Sequence, residues 1–424
     1  MTEFLQENLV RSEPEKDTVE LLVVSTGDVI RRWKEYSVNS DFLTPTDGWS
    51  FRVAAGDLDT AERALLRPGQ VVRLSVNGYT QLEGTIDTID VSTSRSGGTE
   101  INIQGRDLLA ECVDSCADPK IRLKPSDTLE SALIKIFEPF GITPNELVIY
   151  DQEDRELRTG GVYKQGGKKD RSPVSRRRKE APRVSDVGYQ RPHPNEGAFA
   201  FASRISQRFG LWIWMSALGK NVIVGTPAFD GEPLYELRSR VTNTAANNVL
   251  ESSLRLELSE QPSVIYAEGS GGGGEFGKAK HRAFMTNPAI DVDNDPAIET
   301  FLTRFPGATE LVFPAFQHKR LKARTSRPMY LHDEESKTFE QLQKFIQREM
   351  ATRVRRAYTY RCTVVGHYNR ETGAIYSVNT VADVIDENVG ANERLWIKSR
   401  TFRKSRTGGS TTELELIRLN SLEF

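Results

Sequence analysis

Five histidines, three cysteines and 59 acidic residues are the raw material for chemistry in this chain. His193, His281, His318, His332 and His367 show no H-x-x-x-H or H-E-x-x-H spacing, the pattern that puts two zinc-binding imidazoles on one helical face. Cys112 and Cys116 could share a helical face, but two thiols without a second pair or a nearby histidine do not complete a zinc site. They read as buried structural cysteines. Residues Gly269 to Gly274 satisfy G-x-G-x-x-G, as any glycine run does, yet Glu275-Phe-Gly-Lys-Ala-Lys-His is a poor helix start and no βαβ unit precedes it. Asp291-Val-Asp293-Asn-Asp295 opens like a calcium loop, but Pro296 stands where the turn needs glycine and Leu302 where a bidentate carboxylate belongs. There is no G-x-S-x-G elbow and no P-loop. The expectation is a protein that is not an enzyme, with no catalytic, cofactor-binding or metal site.

Charge offers one local feature. Arg176-Arg177-Arg178-Lys179 lies in a stretch, 152–192, that also carries Lys164, Lys168, Lys169 and Arg171 among Gly, Ser and Pro. Phosphates or an acidic partner would suit the run. The interleaved aromatics that stack bases are missing, so a solvated loop is the reading preferred. Globally, 57 basic against 59 acidic residues give a net charge of −2, and no field favours nucleic acid or membrane. No stretch approaches the ~20 apolar residues of a membrane helix. The acidic start, residues 1–17, lacks the apolar segment of a secretory signal and reads as a polar arm. Three cysteines cannot staple a chain of 424 residues, which points to a reducing compartment during synthesis.

The elements are mostly strands. Ser94-Arg95-Ser96-Gly97-Gly98-Thr99 runs into the alternating Ile101-Asn102-Ile103-Gln104, and Ser405-Arg406-Thr407-Gly408-Gly409 runs into Glu413-Leu414-Glu415-Leu416. Paired glycines permit the positive φ of a tight hairpin, and period-two alternation buries one strand face. The two ends thus echo each other as two copies of one β-unit. Short strands between Val19 and Ile103, punctuated by Asp47-Gly48, Pro68-Gly69 and Asn77-Gly78, predict a small antiparallel barrel over 18–120.

An α+β domain is predicted over 121–232. Asp127-Thr-Leu-Glu130 caps a helix carrying Leu133, Ile136 and Phe137, ended by Gly141 before the strand Leu147–Tyr150. The grammar repeats: Asn195 precedes a helix with Phe201, Ile205 and Phe209, Gly210 stops it, and strands follow at Leu211–Trp214 and Val222–Val224. A second barrel is predicted from 233–268 with 356–424. The segment between, 269–355, would be an inserted small domain with a helix over 336–357, capped by Thr338 and Gln341 and striped by Phe339, Leu342, Ile346, Met350 and Val354. The fold class is therefore a β-rich α+β protein with two similar small antiparallel β-barrels, an α+β domain and an inserted small domain.

Three stretches carry a resemblance. They are Ile103 to Ala117, with Gly105-Arg106-Asp107; the helix from Asn195 to Phe209 with Gly210-Leu-Trp-Ile-Trp214; and the C-terminal series Tyr360–His367, Gly373–Asn379, Leu395–Ser399 and Gly408–Ile417. In order and spacing, over about residues 18–421, they resemble the baseplate hub proteins of contractile phage tails, the Mu-type (late-control-D-like) group. The loop 152–192 and the glycine tract depart from that pattern. The resemblance implies a homotrimer in which each subunit supplies two barrels, so that three chains present six near-equivalent barrels to a hexameric tail tube protein. Below, the trimer would dock a trimeric spike protein, outer domains would meet surrounding baseplate proteins, and DNA or protein cargo would only pass through the channel. The place implied is the virion tail baseplate, assembled in the bacterial host cytoplasm. The alternatives are a hub of a tailocin or contractile injection system, a hub-associated cell-wall hydrolase using 270–350, a nucleic-acid-binding barrel using Arg176–Lys179, and a structural protein outside any tail.

Overall fold

The computed structural model describes residues 17–58, 66–95, 98–124, 126–149, 189–216, 221–229, 231–242, 244–269, 281–292, 303, 307–312, 320–333, 336, 338–405 and 409–419. The N-terminal arm to residue 16, the Arg176–Lys179 run and Gly271–Gly274 lie outside them. The chain forms two units, one of Met1–Thr226, Thr363–Val378 and Lys398–Leu414, the other of Pro227–Cys362, Asn379–Ile397 and Glu415–Phe424. No helix among the described residues is long and apolar enough to cross a membrane.

In the first unit, β1 (Val19–Val23), β2 (Val29–Ile30), β3 (Glu35–Asp41), β4 (Gly48–Ala54), β5 (Val71–Val76), β6 (Tyr79–Ser94) and β7 (Gly98–Asp107) form an antiparallel ladder. Its order is β3-β4-β7-β6-β5-β1-β2. Alternation does what it should: Leu21, Val23, Phe51, Val53, Val72, Leu74, Val76 and Ile103 all point inward at 0% exposure. The β5–β6 turn is Asn77-Gly78 with φ 51° and 80°, the left-handed pair that matches hairpin twist. Later chain joins this ladder, since Ser399–Lys404 pair antiparallel with Asp41–Tyr36.

The same unit holds α1 (Ala110–Asp114), α2 (Leu129–Phe137) and α3 (Ala198–Gln207) with β8 (Leu147–Ile149), β9 (Trp212–Met215) and β10 (Val222–Gly225). The three strands pair in the order β8-β10-β9, and Leu133, Phe137, Phe201, Ile205, Ile149 and Val224 share one core. The two repeated helix–strand modules therefore do pack together. The cap of α2 falls one residue later than the sequence pattern placed it: Thr128 accepts from the Ser131 N–H, and Ser131 returns the bond. Asp127 instead accepts from Lys124 and Lys135.

The second unit contains β11 (Tyr235–Ser239), β12 (Val249–Leu256), β13 (Val264–Gly269), β14 (His281–Thr286), β15 (Ile290–Val292), β16 (Thr309–Leu311), β17 (Leu321–Ala323), β18 (Pro328–Asp333) and α4 (Phe339–Arg356). It also takes residues of β19 (Tyr358–Val365), β20 (Val381–Asp386), β21 (Ala391–Ser405) and β22 (Gly409–Arg418). β13 was expected among the C-terminal strands. It lies instead in a four-stranded sheet of order β16-β14-β13-β18. The reason is that all six of its residues are buried, so it needs cover on both faces, as strands inside layered sheets do. Ile265 and Ala267 meet Leu342, Ile346 and Met350 of α4, while Val264 and Tyr266 pack with Phe284 on the other side. The α4 cap is the one anticipated, Thr338 with Gln341.

Where this lobe leaves the strands, the Glu257 N–H donates to the Ala357 carbonyl at 3.0 Å, so its two ends are pinched together.

Candidate functional site

The echo between the two Gly-Gly segments is a pair of hairpins. Gly98 (φ 72°) starts β7 and Gly409 (φ 67°) starts β22, each after a long antiparallel partner. The strands around each hairpin repeat as well. The first ladder runs β1-β5-β6-β7-β4-β3, and the second runs β11-β20-β21-β22-β19-β12. Taken in chain order, β1, β3, β4, β5, β6 and β7 correspond one to one with β11, β12, β19, β20, β21 and β22. The departure is at one edge, where β1 pairs antiparallel with β5 but β11 pairs parallel with β20.

Both ladders carry ion pairs across their wet faces. Arg52 meets Glu35 at 3.0 Å and Arg73 meets Glu83 at 2.7 Å in the first. Arg394 meets Asp383 at 3.1 Å and Arg361 meets Glu415 at 2.8 Å in the second. Pairs that water still reaches, as at Arg52–Glu35 and Arg394–Asp383, stabilise little, but opposite charges facing each other across strands keep a face hydrated and fix register.

Gly105-Arg106-Asp107 is the exit from the first hairpin, and each residue has a separate task. A Cβ on Gly105 would sit 2.1 Å from the Thr85 carbonyl and 2.4 Å from the Trp49 ring, so glycine lets the indole lie across the strand. Arg106 bridges Asp87 and Asp114, both at 2.6 Å, tying β6 to α1. Asp107 is 2% exposed and accepts from the Asp47 N–H at 2.8 Å and the Leu109 N–H at 2.9 Å. The Asp47 carboxylate accepts from Ser40 Oγ at 2.7 Å. Burial pushes both carboxyls up, Asp47 to about 6, with the Arg400 guanidinium pulling Asp47 back down and the Asp47 charge adding to the rise at Asp107.

His367 is a second buried pin in the first unit, at 0% exposure. Tyr36 Oη lies 2.7 Å from its Nε2, and Thr412 Oγ1 lies 3.2 Å from its Nδ1. Thr412 gives its own proton to the Gly366 carbonyl, so its oxygen accepts from Nδ1–H and the tyrosine hydroxyl donates to Nε2. Burial pushes the imidazole down to about 4, helped by the Arg400 charge, and the ring is neutral at pH 7. Arg400 itself is buried, donates to Gln81 Oε1 at 2.7 Å and stacks 3.9 Å above the Phe402 ring. In the second unit, Trp396 is fully buried and its Nε1–H donates to Asn379 Oδ1 at 3.2 Å. The same Asn379 oxygen accepts from the Ala228 N–H at 2.7 Å.

The residues weighed earlier for chemistry do not converge. Cys112 is buried and its thiol pushed up to about 12, Cys362 is buried in the other unit, and Cys116 is exposed rather than buried. Gly269 is the last residue of β13, and Asp293 to Asp295 and His318 lie outside the described residues. Among the described residues no group of three His, Cys, Asp or Glu side chains is placed to hold a metal ion. The Asp47–Asp107 pair and the Tyr36–His367 contact carry no local signal in the sequence.

Residues 18–107 match the family model of the N-terminal region of Mu phage baseplate assembly protein GpP-like proteins. That span is the first ladder, β1 to β7. The fold is similar to the tail protein of Neisseria meningitidis MC58, with a TM-score of 0.68 and 19% identity over 96% of this chain and 98% of that one. It is also similar to the 43 kDa tail protein of prophage MuSo2 from Shewanella oneidensis, at TM-score 0.66 and 17% identity over 96% and 99% of the two chains. A PdpA–VgrG complex includes a chain similar at TM-score 0.51 and 8% identity, over 97% of this chain and 66% of that one. No curated protein sequence matches. The resemblance read from the three sequence stretches is thus borne out: the protein is baseplate-like in its first ladder and tail-protein-like in fold.

Proposed function

We propose that this protein is the structural hub of a contractile tail baseplate, a homotrimer that joins a hexameric tube to a trimeric spike and lines the central channel. The observation that carries the reading is the repeated strand order, β1-β5-β6-β7-β4-β3 against β11-β20-β21-β22-β19-β12. Two matched ladders per chain, taken three times, make six similar ladders around one axis, which is how a threefold ring meets sixfold order. Each ladder closes into a small barrel, the first within 18–120 and the second from 233–256 with 356–424, β13 being given up to the inserted lobe. The ion-paired faces suit a wet channel through which DNA or protein cargo passes without being held. The α+β domain of 121–232 and the lobe face the surrounding baseplate proteins, in a virion tail assembled in the bacterial host cytoplasm.

The protein acts by assembly and consumes no ligand; it uses no cofactor or metal. The likeness to a chain of a PdpA–VgrG complex supports a spike-side partner and makes an injection-system hub the companion reading. Light scattering with negative-stain imaging tests this. A particle of three times 47.7 kDa with a central channel and a pseudo-sixfold outline is expected, alone or on adding the spike protein. A monomer or dimer indifferent to spike and tube proteins would overturn it.

A further inference from the structure

A cleft of about 570 Å³ lies within the second unit, against the last turns of α4. Two segments bring three guanidinium groups to it: Arg327 at the start of β18, and Arg353 and Arg356 from the helix, facing the 259–262 turn that links β12 to β13. The turn is rigidly placed, since buried Gln261 donates to the Arg353 carbonyl at 2.6 Å and accepts from Asn287 at 3.1 Å. Two carboxylates also line the cleft. Glu349 holds Arg353 at 2.8 Å in a half-buried pair, and Glu260 holds Arg356 at 2.7 Å. In the latter pair the two side chains are 67% and 55% exposed, so it is a weak contact that another carboxylate can replace. Arg327 makes no ion pair among the described residues; its Nη1 donates to the Leu258 carbonyl at 2.7 Å, leaving the rest of its fork open.

We infer that this cleft is a docking site for an acidic peptide segment of a neighbouring protein, with Glu260 standing in for the incoming carboxylate. The size suits a few residues of extended chain. Pro262, Pro328 and Met329 add apolar lining to the cleft. A nucleic acid is the poorer occupant because no aromatic ring lines the cleft to stack a base. The inference stands apart from the trimeric hub reading and survives whether or not that reading holds.

The test is fluorescence polarisation with a labelled hexaglutamate peptide and a labelled six-nucleotide oligo-dT, using the full chain at low and physiological salt. Hexaglutamate binds the cleft, and Arg327→Ala with Arg356→Ala weakens it about tenfold or more by removing charge-assisted bonds. Glu260→Ala tightens it about threefold, because the internal competitor is gone. That gain is the decisive readout, since a merely structural Glu260 would give no tightening. Absence of hexaglutamate binding at low salt, binding unchanged by all three substitutions, or tighter oligo-dT binding dependent on the same arginines would each overturn the proposal.

Discussion

Replacing His367 by glutamine should remove a pH dependence that the native fold carries inside its first unit. The imidazole is fully buried between Tyr36 and Thr412 and titrates at about 4 in the fold, against about 6.5 in an open chain. The folded pKa is depressed, so the neutral ring's stability is fully present above pH 6.5 and is lost as pH falls towards 4. Between pH 7 and pH 5 that loss works out to about 2 kcal/mol, from 0.59 kcal/mol times the logarithm of the ratio of the two protonation polynomials. Glutamine can take the tyrosine proton and donate to Thr412, but it does not titrate. The penalty of His367→Gln should therefore be about 2 kcal/mol smaller at pH 5 than at pH 7. Urea unfolding at the two pH values measures it, followed by tryptophan fluorescence; Trp33 stacks 4.2 Å from Phe51, whose ring lies 6.1 Å from Tyr36. An identical penalty at both pH values would refute the buried neutral ring. The wild-type curve alone would mislead, because Asp47 shifts the other way and partly cancels the acid loss.

Asp47 itself gives a prediction of opposite sign. Its folded pKa is raised to about 6, so its contribution is present in acid and lost as pH rises through 6, and Asp47→Asn should cost about 1–2 kcal/mol less at pH 8 than at pH 4.5 in the same urea titration. Gly105→Ala drives a methyl into the Thr85 carbonyl and the Trp49 ring and should cost ~3 kcal/mol or more, whereas Gly56→Ala, with nothing within 4 Å, should leave the melting temperature unchanged. Thr338→Ala removes the α4 capping box and should destabilise by about 1 kcal/mol, seen as faster amide exchange in the first turn of that helix.

Local grammar was readable and distant pairing was not. The positive-φ glycines Gly98 and Gly409 at the strand starts, the Thr338–Gln341 box and the Phe-Gly helix endings report on neighbours within a few residues, and the structure has them where the sequence put them. Thr128 displaced Asp127 as a cap because Asp127 is taken by Lys135 across the helix start. β13 went astray because an apolar run reads the same whether a barrel or a helix-backed sheet covers it. The candidate site was least legible. Tyr36 and His367 are 331 residues apart and Asp47 and Asp107 are 60 apart, so nothing in either neighbourhood announces the partner. Gly105-Arg106-Asp107 could be singled out in the sequence, but its reason lies in Trp49, Asp87, Asp114 and Asp47, which only folding brings to it.

The pinched ends of the lobe bear on how such a chain can change. In the first ladder, β3 passes to β4 through residues 42–47; in the second, the corresponding passage from β12 to β19 holds everything from 257 to 357. Because Glu257 and Ala357 are hydrogen-bonded neighbours, the ladder meets the lobe as it would meet a hairpin turn. The lobe is in effect a cassette plugged into a turn. It can be lengthened, exchanged or trimmed to a few residues without re-threading a strand of the repeated ladder.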